Sequence, residues 1–209
     1  MADFAMAELH KADAYKLLTR LVAPRPIALV STLGPGGGNL APFSFFVLGG
    51  ASPPSCAICP INDRHGKPKD TLRNIEANGE YVISVCTREM AEQINLASYA
   101  YAYGDDEFDH TGLTRRPSRV VAPPGVAESP AQLECRRFQV VRHGDGPLAS
   151  NWVIGEIVHV SVRDDLLVDG LPDQTRIEFL GRLGGNSYTA VTPASQFEMT
   201  RPTRPTGSS

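Results

Sequence analysis

Along most of this chain, apolar and polar positions alternate over short stretches, and helical periodicity is confined to a few segments. Arg25 to Phe46 sets the pattern. Ile27, Ala28, Leu29 and Val30 form an apolar run rich in strand formers, closing on Ser31 and Thr32. Gly34 to Gly38 holds four glycines and a proline, which is turn chemistry. Beyond it, Phe43, Phe45 and Val47 alternate with Ser44 and Phe46, so the chain is predicted to return as a second strand. The glycines do not form a P-loop, which would end in Gly-Lys-Ser/Thr and lead into a helix. Nor do they form a dinucleotide fingerprint, because strand runs into strand.

Ala5 to Leu21 is predicted as a helix, with Leu9, Ala14, Leu17, Leu18 and Leu21 on one broad face. Pro24 stops it. A strand around Cys56 follows, then the polar loop Asn62 to Pro68, then a helix with Asp70 as its N-cap and Gly79 as its stop. Glu80 to Cys86 reads as a strand buried on both faces, and Thr87 caps a helix predicted to reach about Ser98. Ser129–Val141 and Trp152–Val162 read as two long strands joined by the loop His143 to Pro147. Alternation places Val153, Gly155, Ile157, His159 and Ser161 on one face of the second strand. His159 is then a lone imidazole among apolar neighbours, with a structural role and a ligand-facing role as its two readings. The run from Gly104 to His110 carries four acids and a histidine without the spacing of a calcium loop, and is read as a solvated loop or helix end. Asp164 to Asp173 is loop-like.

Many short strands with Gly/Pro turns and few helices predict a mainly β fold with peripheral helices, a closed barrel. The 209 residues fit a single domain spanning 1–209. A net charge of −3 gives no basic footprint for nucleic acid, and no apolar run approaches the roughly 20 residues that cross a bilayer. Residues Met1 to His10 lack a basic start and apolar core, so a cytoplasmic location is expected. Cys56 and Cys59 are three apart on a predicted strand, where side chains diverge. With Cys86 and Cys135 distant in sequence, four reduced, buried thiols are expected rather than a metal site.

Two places carry candidate chemistry. Hydroxyls and backbone amides beside aromatic rings at the far end of the hairpin suit a flat heteroaromatic ligand with a polar edge. A helix amino end at Lys69-Asp70-Thr71, with Arg64 and Lys67 nearby, offers free amides, a cation and a hydroxyl to a phosphate.

Arg25-Pro-Ile-Ala-Leu-Val-Ser-Thr, Asn39-Leu-Ala-Pro-Phe-Ser-Phe-Phe and Lys69-Asp-Thr-Leu-Arg-Asn-Ile resemble motifs of the flavin reductase-like family. Asp106-Glu-Phe, Gly112-Leu, Glu128-Ser-Pro, Glu134-Cys, Gly155-Glu-Ile-Val-His and Arg182-Leu-Gly-Gly-Asn-Ser-Tyr extend the resemblance to roughly Tyr15–Pro202. The resemblance implies a Greek-key split barrel, a homodimer with flavins at its interface, and an FMN-binding oxidoreductase. NADH or NADPH would be the reductant and a monooxygenase the partner. The alternatives are a flavoredoxin-type electron carrier, served by redox proteins, and an FMN-binding sensor or scaffold. On this reading Ser31, Thr32, Asn39, Ala41 and Ser44 address the ring edge and ribityl chain, while Phe43, Phe45 and Phe46 form apolar walls. Arg64, Lys69, Asp70 and Thr71 organise the phosphate end. Arg182 and Tyr188 close the site from either subunit, and His159, if it faces the flavin, meets the nicotinamide. The acidic run from Gly104 lies near the site's mouth, where it and the tail from Thr200 are candidate lids. The flavin carries the chemistry, so no catalytic acid or nucleophile is assigned.

Overall fold

A computed structural model describes residues 1–202 of the chain. Most of the Pro/Arg/Thr-rich tail, 203–209, lies outside the described residues. In chain order the elements begin with α1 (Lys11–Leu21), β1 (Arg25–Pro26), β2 (Ala28–Gly34), β3 (Gly37–Phe43), β4 (Phe46–Ala51) and β5 (Pro54–Ile58). Then come α2 (Asp70–Asn78), β6 (Glu80–Val85), α3 (Ala91–Leu96), α4 (Phe108–Thr111) and the two-residue pair β7 (Arg115–Arg116) and β8 (Gly125–Val126). The long strands β9 (Ala131–His143) and β10 (Ser150–Val162) follow. After them come the short pair β11 (Leu167–Val168) and β12 (Leu171–Pro172), then β13 (Phe179–Arg182) and β14 (Tyr188–Val191).

Seven strands form one antiparallel sheet in the order β3-β2-β6-β9-β10-β5-β4. The two edge strands, β3 and β4, are separated in sequence by Ser44 and Phe45 alone. Phe43 and Phe46 are therefore at most about 11 Å apart, whereas the outer strands of a flat seven-stranded sheet would be about 29 Å apart. The sheet must curl until its edges nearly meet. No ladder joins those edges, so the barrel has a seam, spanned by the covalent chain at Ser44 and Phe45. The predicted return strand thus stops at Phe43. Phe46 opens a new strand on the opposite edge, because a barrel corner intervenes where alternation alone suggested continuity.

Both faces of β2 are buried. Ala28 and Val30 enter a cluster with Cys56, Ile58, Leu72, Ile75, Tyr81, Ile83, Cys135 and Val153. Ile27 and Leu29 enter another with Leu40, Cys86, Met90, Ile94, Phe108 and Leu180. This is why Ile27–Val30 reads as a continuous apolar run rather than an alternating one. The hairpin turns on Pro35 and Gly36, since Gly34 pairs with Gly37. Gly37 adopts a φ of 124°, which disfavours any side chain.

The first helix is shorter than its periodicity predicts. It starts at Lys11, with the His10 imidazole accepting from the Ala12 amide at 3.3 Å, and leaves Leu18 and Leu21 exposed. The predicted Thr87–Ser98 helix is a 3-10 turn, Arg88–Met90, running into α3. All four cysteines are free and buried, and Cys56 and Cys135 hold their sulfurs 3.9 Å apart. Among the described residues, no helix is long and apolar enough to cross a membrane.

Candidate functional site

Helix α2 begins at Asp70, so its cap lies one residue before the predicted one. Lys69 is the N-cap and makes no side-chain capping bond; Asp70 is the first helical residue, and its carboxylate meets Arg73 at 3.3 Å. The first-turn amides are therefore left without a side-chain partner, a ready place for an anion. Gly79 ends the helix in the left-handed conformation, as predicted.

Next to this helix end lies a buried polar network. The Asn39 side-chain amide donates to both carboxylate oxygens of Glu107, at 2.9 Å each. Its oxygen accepts from the hydroxyls of Thr71 at 2.8 Å and Thr32 at 3.2 Å. Asn74 donates to Thr32 at 3.0 Å, and the Leu40 amide donates to Glu107 at 2.7 Å. The Asn39 side chain thus both donates and accepts inside the protein. Burial pushes the Glu107 carboxyl up, while the Leu40 amide and Asn39 pull it down.

This network floors a cleft of about 630 Å³. Phe43, Tyr99 and Tyr101 supply aromatic wall, and Arg64, His65 and Lys69 line the end at α2. The wall is held in place: Tyr101 stacks on His110 with ring centroids 4.7 Å apart, and the Arg73 guanidinium lies 3.7 Å over the Tyr103 ring. Asp63 also lines the cleft, but its carboxylate accepts the Lys67 and His65 amides at 2.8 Å each and shapes the loop. The Lys67 amide leads in holding its pKa below the usual range. A second cleft of about 680 Å³, lined by Tyr15, Ser44, Asn95, Arg182 and Tyr188, shares Pro42 and Ser98 with the first. There the Arg182 guanidinium covers the Tyr188 ring at 4.3 Å.

Residues 20–176 match the family described as flavin reductase like domain. The chain belongs to the flavin reductase-like family. An uncharacterized protein of Halalkalibacterium halodurans is 38% identical, over 93% of this chain and 94% of its own length. Nitrilotriacetate monooxygenase component B from Bacillus cereus has a similar structure, with a TM-score of 0.89 at 30% identity, covering 95% of this chain and 98% of that one. The 2-nitrobenzoate 2-nitroreductase of Pseudomonas fluorescens gives a TM-score of 0.82 at 30% identity, covering 98% and 97%. The fold is the flavin reductase-like split barrel.

Against this family's cofactor, the cleft's donor set fits. A cationic, amide-rich end suits a phosphate, and an aromatic wall suits a planar ring. The predicted residues separate into three groups. Ala41, Phe43, Arg64, Lys69, Asp70 and Thr71 line the cleft, as does Asn39, although its side chain is consumed by the network. Ser44, Arg182 and Tyr188 line the adjoining cleft. Four others lie elsewhere. Ser31 is fully buried and donates to the Pro124 carbonyl. Thr32 is buried behind Asn39. Phe45 packs edge-on against Tyr15, and Phe46 faces an apolar hollow with Ile83 and Leu133. Ser31 and Thr32 are buried because both faces of β2 are covered, and Phe45 and Phe46 turn away because the chain rounds the barrel corner.

His159 is also displaced from its expected place. The β10–β9 register shifts between Ile157 and His159, so Ile157 opposes Cys135 while His159 opposes Glu134. That bulge reverses the face counted by simple alternation. The imidazole lies with its Nδ1 3.4 Å from Glu134, in a groove with Arg116 and Arg163 that shares no lining residue with the two clefts. Its position gives no support to a nicotinamide role.

Sequence reasoning did not single out Glu107; it read the Gly104–His110 run as a solvated loop or helix end, and Phe108–Thr111 is indeed helical. The run is anchored: Glu107 is buried, and Asp106 pairs with Arg115 at 2.7 Å. The available signal was Phe108, an apolar residue within the acidic run, which packs in the core beside Leu40.

Proposed function

We propose that this chain is an FMN-binding, NAD(P)H-dependent flavin reductase, acting as a homodimer in the cytoplasm and supplying reduced flavin to a partner monooxygenase. The observation that carries the reading is the polarity of the cleft, cationic and amide-rich at the start of α2 and aromatic along its wall. Likeness to a monooxygenase component B supports the choice of partner. Bound flavin supplies the hydride acceptor. The chain's own residues bind and orient it: Lys69, Arg64 and the first-turn amides of α2 meet the phosphate, and Phe43, Tyr99 and Tyr101 exclude water from the ring. Asp70 takes no direct part, being turned to Arg73. Ser44, Arg182 and Tyr188 face the adjoining cleft, which has room for the nicotinamide donor beside the flavin. Exposed Leu18, Leu21, Val47 and Leu48 offer apolar surface for a second copy to cover.

The test is anaerobic titration of the purified, FMN-loaded protein with NADH and with NADPH, followed by flavin absorbance. Bleaching by either nucleotide at catalytic rates is expected. Absence of flavin binding at micromolar concentrations would end the reading. Flavin that binds but is reduced only by a redox protein would replace it with the electron-carrier alternative.

A further inference from the structure

The Asn39–Glu107 pair does more than fill space. Two N–H groups converge on one carboxylate: the Asn39 amide, whose nitrogen reaches both oxygens, and the Leu40 backbone. These donors favour the ionised acid and oppose the burial that raises its pKa. The pairing also fixes Asn39, whose oxygen is left to accept only from Thr71 and Thr32. Thr71 sits in the first turn of α2, so the helix end is tied to the hairpin directly through Asn39, which the carboxylate holds in place. The same carboxylate puts a negative charge at the buried floor of the cleft, while Arg64 and Lys69 put positive charge at its α2 end.

Resting on the flavin reading above, we propose that Glu107 is a positioning residue of the flavin cleft whose fixed charge makes the site bind oxidised flavin more tightly than reduced. Hydride transfer from a nicotinamide donor delivers two electrons and one proton, so the ring gains one negative charge. A fixed carboxylate on the cleft floor opposes that gain. Reduction then loosens the flavin, which favours its release to an acceptor. Through Asn39 and Thr71, Glu107 also keeps the phosphate end of the cleft in shape, an effect that acts on both redox states alike.

The two effects separate in two variants. Glu107→Gln removes the charge and keeps the length; Asn39 can rotate its amide to match, because hydroxyls accept as well as donate. Glu107→Asp keeps the charge and shortens the reach. Dissociation constants for oxidised FMN, and for FMN reduced anaerobically with dithionite, are measured for all three proteins, with melting curves to confirm folding. Wild type is expected to bind the oxidised form more tightly. In Glu107→Gln that preference falls about tenfold, a rise of about 30 mV in the bound potential. In Glu107→Asp both affinities fall several-fold and the preference stays. An unchanged preference in Glu107→Gln, or unchanged affinities in Glu107→Asp, would overturn the proposal. If Glu107→Gln does not fold, wild type decides: equal affinity for the two redox forms, or tighter binding of the reduced form, overturns the proposal. Wild type that binds no flavin would instead remove the reductase reading itself.

Discussion

The carboxylate of Asp106 lies where a side chain at Gly38 would begin, its Cγ 2.8 Å and Oδ1 3.0 Å from the position of that missing Cβ. Two residues earlier in each segment, Gly36 meets Gly104 in the same way, with the Gly104 Cα 2.7 Å from the missing Cβ. These hairpin glycines therefore serve a close approach as well as a turn. They let the Gly104–Glu107 segment lie against β3, and that contact carries Glu107 to the cleft floor.

Gly38→Ala should push this segment outward and separate Glu107 from Asn39. Overpacking of this kind costs about 1–3 kcal/mol. A thermal melt should show the lost stability, and FMN titration should show affinity reduced by about tenfold. A variant that melts lower yet binds FMN normally would uncouple the hairpin contact from the site.

Lys69 is the exposed N-cap of α2 at the cationic end of the cleft. Lys69→Ala should weaken FMN about tenfold and leave riboflavin, which has no phosphate, almost unaffected. Parallel fluorescence titrations with the two ligands check this, and equal losses would place the phosphate elsewhere.

Tyr81 and Gly155 make a second forced contact, inside the barrel. The phenol oxygen of the buried Tyr81 occupies the Cβ position of residue 155, with its Cζ 2.8 Å away. Gly155→Ala should cost about 1–3 kcal/mol, measured by urea denaturation. Tyr81→Phe should recover only part of the loss in the double variant, because the ring carbon remains in the way.

Burial raises the Glu107 pKa, with Asp106 adding to the rise and the Leu40 amide and Asn39 opposing it. The folded value then exceeds the unfolded one of about 4.3. The folded state holds the proton longer, so the associated stability is complete below the unfolded value and is lost as pH rises through the folded value. Asp63, Asp165 and Asp173, all lowered, lose stability on acidification instead. The melting temperature of wild type relative to Glu107→Gln should therefore fall as pH rises above about 4 and level off higher. A flat difference would show that Glu107 carries the same affinity for protons in both states.

The hairpin, the α2 start with its Gly79 stop, and the long strands β9 and β10 were all readable, because each rests on local periodicity or local turn chemistry. The cleft end at Lys69 and Thr71 was readable for the same reason. What escaped depends on distant partners. Phe46 belongs to another strand because the barrel closes at Ser44–Phe45, and closure has no local signature. His159 lies on the opposite face because a bulge, invisible in alternation, reverses the count. Ser31 and Thr32 sit between two covered faces, a property of the assembled sheet. Glu107 looked solvated among other acids and is buried because Asn39 and Leu40, far away in sequence, supply its donors.

The seam of the barrel leaves β3 as an edge strand, and its second half, Leu40-Ala41-Pro42-Phe43, is apolar. An open edge of this kind is a template on which other chains add strands and aggregate. Here the template is spoiled at two points. The Leu40 amide is directed away from β2 and occupied by Glu107, and Pro42, next along that side of the strand, has no amide to offer. The residue that shapes the cleft floor thus also denies β3 to foreign strands, so the protein can keep an opening in its barrel at little risk to its solubility.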